Sequence, residues 1–271
     1  MTILENSRGG VPALQSDGFL AAGGVAHGFS TREGGISEGI YASLNLGLRR
    51  GDDREKVLEN YRRFCGAIGA DFDGLVLARQ VHGDRVMAVT AADRGLGIID
   101  DRQDYEADGL ITDVPGVCLT VFTADCVPVL LYDPVRRVVA AVHAGWRGSA
   151  NGIVERAVEK MTDHYGCDPR TILAAIGPSI SGCCFETDED VPNALSQALG
   201  TGALRYIRMT GDGKFHVDLK GCNALRLERA GLTEEHIAVS DLCTMCEHER
   251  FWSHRYTGGE RGSQATMIQL L

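Results

Sequence analysis

No stretch of the 271-residue chain approaches the roughly eighteen uninterrupted apolar residues that a membrane-spanning helix needs. The opening segment, Met1 to Asp17, lacks a basic run followed by an apolar core, so nothing there reads as a secretory leader. The expectation is a cytoplasmic protein. Positive charge is also short: 27 Lys and Arg stand against 37 Asp and Glu, a net charge of −10. That balance repels nucleic acid and anionic membranes, and neither is expected as a partner. Repeats, low-complexity tracts and Pro/Ser-rich linkers are missing, so residues 1–271 are read as one domain, with residues 1–17 expected to be a loosely ordered segment. Nine cysteines, an odd number without secretory features, point to reduced thiols rather than a disulfide framework.

What is present is a dense series of apolar, β-branched runs. Gly109–Thr112, Val117–Phe122, Val127–Tyr132 and Val138–His143 read as strands buried on both faces. Leu75–Leu77 and Arg85–Val89 are shorter strands flanking Gln80-Val81-His82-Gly83. The apolar spacing predicts helices over Asp53–Ile68, Ile153–Tyr165, Glu189–Leu199 and Leu219–Ala230. Further strands are expected at Ile172–Ile176, Ile237–Ser240 and Ala265–Leu270, with a glycine-rich turn from Ala144 to Gly152. Hairpin-like strand pairs mixed with strand–helix units imply an α/β (α+β) protein with a mixed sheet core and helices outside it.

Three potential metal ligands stand beside these strands. Cys126 follows Thr123-Ala124-Asp125 between two apolar strands, His143 ends another, and His82 sits in a strand-flanking turn. Two imidazoles and a thiolate leave a fourth tetrahedral position open, as catalytic zinc requires. Their separations of 44 and 17 residues match no short metal-binding pattern. Cys126 could instead act as a nucleophile with His143 as its base, or simply pack as a small apolar side chain.

Several segments together resemble the YfiH family, also called the peptidoglycan editing factor or purine nucleoside phosphorylase family and formerly the multicopper polyphenol oxidases. They are His27-Gly28-Phe29-Ser30-Thr31-Arg32 with Gly34-Gly35, Ser43-Leu44-Asn45-Leu46-Gly47, Gln80-Val81-His82-Gly83 and Ala107-Asp108-Gly109-Leu110. Ala124-Asp125-Cys126-Val127-Pro128, His143-Ala144-Gly145-Trp146-Arg147-Gly148 and Gly177-Pro178-Ser179-Ile180 continue the series in order. The resemblance implies a layered α/β/β/α fold and a zinc site held by His82, Cys126 and His143. It also implies phosphorolysis of adenosine, inosine, guanosine and methylthioadenosine, with deamination of adenosine as a second activity. Some relatives are assigned an amidase-like editing role on cell-wall precursors instead. Asn60-Tyr61-Arg62, Ser253-His254-Arg255 and the glycine-bearing loop Tyr256 to Ser263 depart from the family pattern and leave substrate contacts near the C-terminus open.

Neighbouring residues receive roles on chemical grounds. Arg147, with its planar cationic fork beside a helix start, is the candidate phosphate holder; the alternative is that it braces the turn. Asp125 and Asp108 are candidate proton carriers, or else they orient a histidine or cap a turn. Trp146 could stack on a purine or pack in the core. Cys183, Cys184, Cys243 and Cys246 are read as packing residues, since Cys243-Thr244-Met245-Cys246 has no second CxxC to complete a structural zinc site. Copper is the weaker metal reading, because eight histidines without one His-x-His pair cannot supply a trinuclear cluster. The expected partners are thus purine nucleosides and phosphate, and the competing class is a Cys126–His143 or zinc hydrolase.

Overall fold

A computed structural model describes residues 1–99 and 106–271 of the protein. Its first strands are β1 (Ile3–Arg8), β2 (Val11–Ser16), β3 (Val25–Ser30), β4 (Leu75–Leu77) and β5 (Val86–Ala88). The long central ones are β6 (Gly109–Thr112), β7 (Cys118–Thr123), β8 (Val127–Asp133) and β9 (Val138–Ala144). Then come β10 (Leu173–Ile176), β11 (Glu186–Thr187), β12 (Ile207–Gly211), β13 (Lys214–Val217), β14 (Ile237–Val239) and β15 (Gln264–Leu270). The helices are α1 (Asp17–Ala22), α2 (Arg54–Ile68), α3 (Trp146–Asn151), α4 (Ile153–Tyr165), α5 (Asp190–Leu199), α6 (Leu219–Arg229) and α7 (His254–Thr257).

Among the described residues, two six-stranded mixed sheets form the centre. One runs β1-β2-β3-β15-β7-β4, the other β14-β10-β8-β9-β6-β5, and a small third sheet runs β11-β13-β12. The strand period of two divides their side chains among three apolar layers. In β4, Leu75 and Leu77 pack with Val57, Tyr61, Phe64 and Ile68 of α2, whereas Val76 joins the layer between the sheets. In β8, Leu130 and Tyr132 enter that interlayer, and Val127, Val129 and Leu131 pack outward with Ile153, Ala157 and Met161 of α4. The result is the α/β/β/α layering that the resemblance implies. Strands apolar on both faces are what such burial requires.

Capping sets the limits of α2. Asp53 accepts hydrogen bonds from the Glu55 and Lys56 amides, and Gly69, left-handed at φ 78°, closes the other end.

Two expectations are corrected here. Residues 1–17 are not a loose segment: β1 and β2 pair in register from Ile3 opposite Ser16 to Arg8 opposite Val11. Gly9 and Gly10, at φ 62° and 77°, supply the two positive torsions of a tight hairpin turn. Leu14 then anchors the hairpin in the interlayer. The stretch from Ala144 to Gly152 is likewise not a plain turn, because Trp146–Asn151 is helical and Gly152, at φ 81°, separates α3 from α4. Among the described residues no helix is long and apolar enough to cross a membrane.

Candidate active site

Topology brings the three ligand candidates together. Cys126 lies in the short bend where the chain leaves β7 in the first sheet for β8 in the second. His82 lies in the connection from β4 to β5, which crosses between the same sheets. His143 is the penultimate residue of β9, opposite Pro128 of β8. One ligand atom from each of His82, Cys126 and His143 can be taken so that all lie within 4.8 Å of one another. The two imidazoles stand edge to face, with centroids 4.9 Å apart.

Asp108, buried just before β6, holds this geometry. One carboxylate oxygen accepts from the His82 amide at 3.0 Å and pairs with His143 Nδ1 at 2.7 Å. The other accepts from the amides of Val81 (3.1 Å) and Gly83 (2.8 Å). A carboxylate in contact with Nδ1 fixes the proton on that nitrogen and leaves the Nε2 lone pair of His143 for a metal. The three amide bonds keep the turn around His82 in place, including its left-handed φ of 58°. Burial alone would raise the Asp108 pKa, but the His143 contact and the amides of Gly83 and Val81 outweigh it and hold the carboxyl below its usual range.

The same environment settles the charge of the other groups. Burial opposes ionisation of Cys126, yet the adjoining His143 and His82 bring its thiol down to about 6. Burial likewise opposes protonation of His143, and Cys126 with Asp108 overcomes it, raising the imidazole to about 9. Both shifts run toward a thiolate beside an imidazolium, and a metal ion would take the proton's place. Space is reserved as well: a Cβ added at Gly145 would lie 3.2 Å from His82 Cδ2 and 3.5 Å from Cys126 Sγ.

The cluster opens on a cavity of about 380 Å³, within the range of small-molecule sites. Phe122, Leu77 and Thr123 contribute to its walls with Arg49, Arg50, Arg79 and Arg261, of which Arg79 is paired with Glu106 at 3.1 Å. Arg261 is buried, and its Nη1 donates to the Gly262 carbonyl and the Ser263 hydroxyl. Burial, aided by Arg50, depresses its guanidinium to about 10. Gln80 ties the His82 turn to this wall, donating to the Phe122 carbonyl and accepting from the Phe122 amide.

Other candidates lie elsewhere. Arg147 is exposed, its guanidinium stacked 4.1 Å from the Trp146 ring centroid, and neither residue lines the cavity. Asp125 is also off the cavity lining: its carboxylate accepts from the Thr244 hydroxyl and the Arg255 amide, both at 2.7 Å. It braces the bend that presents Cys126, at a strained φ of 90°. Sequence reading missed Arg50, Arg261 and Phe122. Arg261 falls within the divergent loop, and Phe122 was visible only as a strand residue.

This site and fold have relatives. The family described as multi-copper polyphenol oxidoreductase laccase matches residues 26–271, and the chain belongs to that family. Purine nucleoside phosphorylase YlmD of Geobacillus stearothermophilus is 40% identical over 252 residues, spanning 91% of this chain and 90% of the relative. Adenosine deaminase RL5, from an unknown prokaryotic organism, is 36% identical over 242 residues, 89% and 92% of the two chains. Among solved structures, YlmD from Geobacillus stearothermophilus superposes with a TM-score of 0.92 at 37% identity, covering 99% of both chains. YfiH from Bacillus licheniformis superposes at 0.90 and 36% identity, covering 96% of both.

Proposed function

We propose that this protein is a zinc-dependent purine nucleoside phosphorylase acting on adenosine, inosine, guanosine and methylthioadenosine, with adenosine deamination as a second activity. The observation that carries this reading is a three-ligand cluster opening on a cavity that also presents arginines. The donor set suits zinc: an Nε2 lone pair kept free by Asp108, a second imidazole, and a thiol already favoured as thiolate. When bound, zinc supplies Lewis-acid polarisation of an oxygen in its open position. The names of the phosphorylase and deaminase relatives support the choice of substrate.

The chain's own groups divide the remaining work. Arg261 and Arg50 are placed to hold inorganic phosphate, in place of the Arg147 site that the sequence suggested. A guanidinium braced in a partly dry wall binds an oxyanion with little reorganisation. Phe122 offers an apolar surface for the base. In phosphorolysis a phosphate oxygen bonds to C1′ while the C1′–N9 bond breaks, its electron pair leaving with the base, which takes up a proton. In deamination water adds at C6 and ammonia leaves. Asp108 acts on both through His82 and His143, as a positioning residue.

The test is to incubate metal-analysed protein with adenosine or inosine, with and without phosphate, and to identify products by mass. Ribose 1-phosphate and free base should form only with phosphate, and inosine should form from adenosine without it. Neither product from zinc-loaded protein would refute the assignment. A second reading draws on the Cys126–His143–Asp108 chain, which has the orientation of a thiol nucleophile, its base and the base's partner. It makes the protein a hydrolase of amides in cell-wall precursors. That activity would survive chelation, whereas the phosphorylase would not.

A further inference from the structure

Far along the chain from the triad, Cys183, Cys184, Cys243 and Cys246 place their sulfurs within 4.8 Å of one another. The Cys183–Cys184 and Cys183–Cys246 sulfurs are 3.6 Å apart, and those of Cys184 and Cys246 are 3.4 Å apart. Four ligands at the usual zinc–sulfur bond length of about 2.3 Å around one tetrahedral ion stand roughly 3.8 Å from each other. We propose that these four cysteines form a second metal site, a structural zinc held by four thiolates.

The fold explains why so dispersed a set meets. Strands β10 and β14 are parallel neighbours, with Ala174 opposite Ile237 and Ile176 opposite Val239. Their C-terminal extensions therefore leave the sheet side by side. The Thr244 amide donates to the Ser179 carbonyl at 3.1 Å, and Ser179 and Cys243 form a parallel bridge. One extension carries the Cys183-Cys184 pair and the other the CxxC, so the partner that the CxxC lacks in sequence is supplied across the bridge. Four thiols this close fit one ion, because a polynuclear cluster would need room between them.

The surroundings of Cys243 suit a thiolate. Cys243 Sγ accepts from the Ser181 amide at 3.4 Å, and the Met245 and Cys246 amides also donate toward it. A zinc with four thiolates carries two excess negative charges. The buried Lys220 ammonium is close enough to Cys243 and Cys183 to interact with them electrostatically, and it donates to the carbonyls of Ser240 and Leu242 just before the CxxC. The site also has something to hold. The Ile180 amide donates to the Asp125 carbonyl at 2.9 Å, and the Thr244 hydroxyl donates to the Asp125 carboxylate, so both extensions grip the residue before Cys126. The second zinc staples the two segments that fix the bend of the catalytic cluster.

The test is metal stoichiometry in the full chain prepared under reducing conditions with Zn²⁺ as the only added metal. Wild type should hold about two zinc ions, Cys126→Ala about one, and Cys183→Ser/Cys246→Ser about one, following the ligand count of each site. Should the double variant fold poorly, Cys126→Ala loaded with Co²⁺ decides: intense thiolate-to-cobalt absorption must persist although the triad has lost its only sulfur. One zinc in wild type, absent from Cys126→Ala, overturns the proposal. So does copper in place of zinc, or a disulfide among the four cysteines in protein that resists alkylation until reduced. A single zinc in wild type that persists undiminished in Cys126→Ala would refute the zinc dependence of the proposed function and leave this site standing.

Discussion

Replacing Asp108 with Asn tests the geometry of the candidate centre at one atom. The carboxylate satisfies four donors, two on each oxygen: His82 N and His143 Nδ1 on one, Val81 N and Gly83 N on the other. An asparagine keeps one acceptor oxygen and turns an NH₂ group toward two donors. If the NH₂ faces His143, the ring must accept at Nδ1 and carry its proton on Nε2, where a metal would bind. If it faces Val81 and Gly83, the tautomer survives but the turn holding His82 loses two anchors. Hydrogen bonds to a charged group contribute about 1.5–3 kcal/mol each, so either orientation forfeits roughly 3–6 kcal/mol. We expect that loss to divide between fold and metal. Unfolding of the metal-free protein in urea should shift by about 2–4 kcal/mol, and zinc affinity should fall about 10–100-fold in competition with a chromophoric chelator. Nitrogen-15 NMR of the His143 ring would tell the two orientations apart. Wild-type zinc affinity together with a wild-type unfolding midpoint would refute the positioning role.

Other expected outcomes follow from neighbouring contacts. His82→Ala should sharply reduce zinc at the catalytic cluster while leaving the circular dichroism spectrum unchanged; full occupancy there by site-resolved metal analysis would remove His82 from the ligand set. Arg261→Ala should raise KM for phosphate about tenfold or more and that for nucleoside far less, whereas Arg147→Ala should alter neither; steady-state kinetics with each substrate varied reads the difference. Gly145→Ala crowds His82, and overpacking of this kind costs about 1–3 kcal/mol, to be seen as weaker zinc binding by titration calorimetry. Burial holds His27 at about 4, below its ordinary 6.5, and its Nε2 accepts from the Ser16 amide. The unfolded chain therefore takes up a proton that the folded one refuses. Stability from this group is full above pH 6.5 and declines by about 3 kcal/mol as pH falls to 4. His27→Gln should flatten that part of the urea-denaturation profile; parallel profiles for the two proteins would contradict it.

Much of this arrangement was legible in the residues because burial writes itself into composition. The runs Val127–Tyr132 and Val138–His143 are apolar on both faces, and they became β8 and β9 with ends shifted by one residue. Helix α4 begins and ends where its apolar stripe does, at Ile153 and Tyr165. That His82, Cys126 and His143 would cluster was legible because each borders such a strand and because the family motifs surround them. Less could be read where the deciding contact is remote. Arg147 stands beside a glycine turn and a helix start, which are local cues, but the direction in which the cavity opens depends on β4, β7 and the loop to β15. The Cys183-Cys184 pair and the CxxC are joined only by the parallel pairing of β10 with β14, which sequence order does not display. The N-terminal hairpin is a different case: the polar, exposed β1 offers no apolar run to read, and it is held by backbone pairing with β2.

Two of the three candidate ligands, His82 and Cys126, ride on connections that step from one sheet to the other, and the third, His143, lies near the end of a strand of the second sheet. The geometry of this cluster is therefore a gauge of how the two sheets are seated. A substitution deep in the interlayer, such as Leu119→Ala or Leu130→Ala, touches neither ligand nor cavity, yet any sliding of one sheet over the other changes the separations among His82, Cys126 and His143. On the proposed function, metal affinity would thus read out packing at a distance. A bound ion would in turn clamp the sandwich shut at its open edge, as a rivet does for two plates.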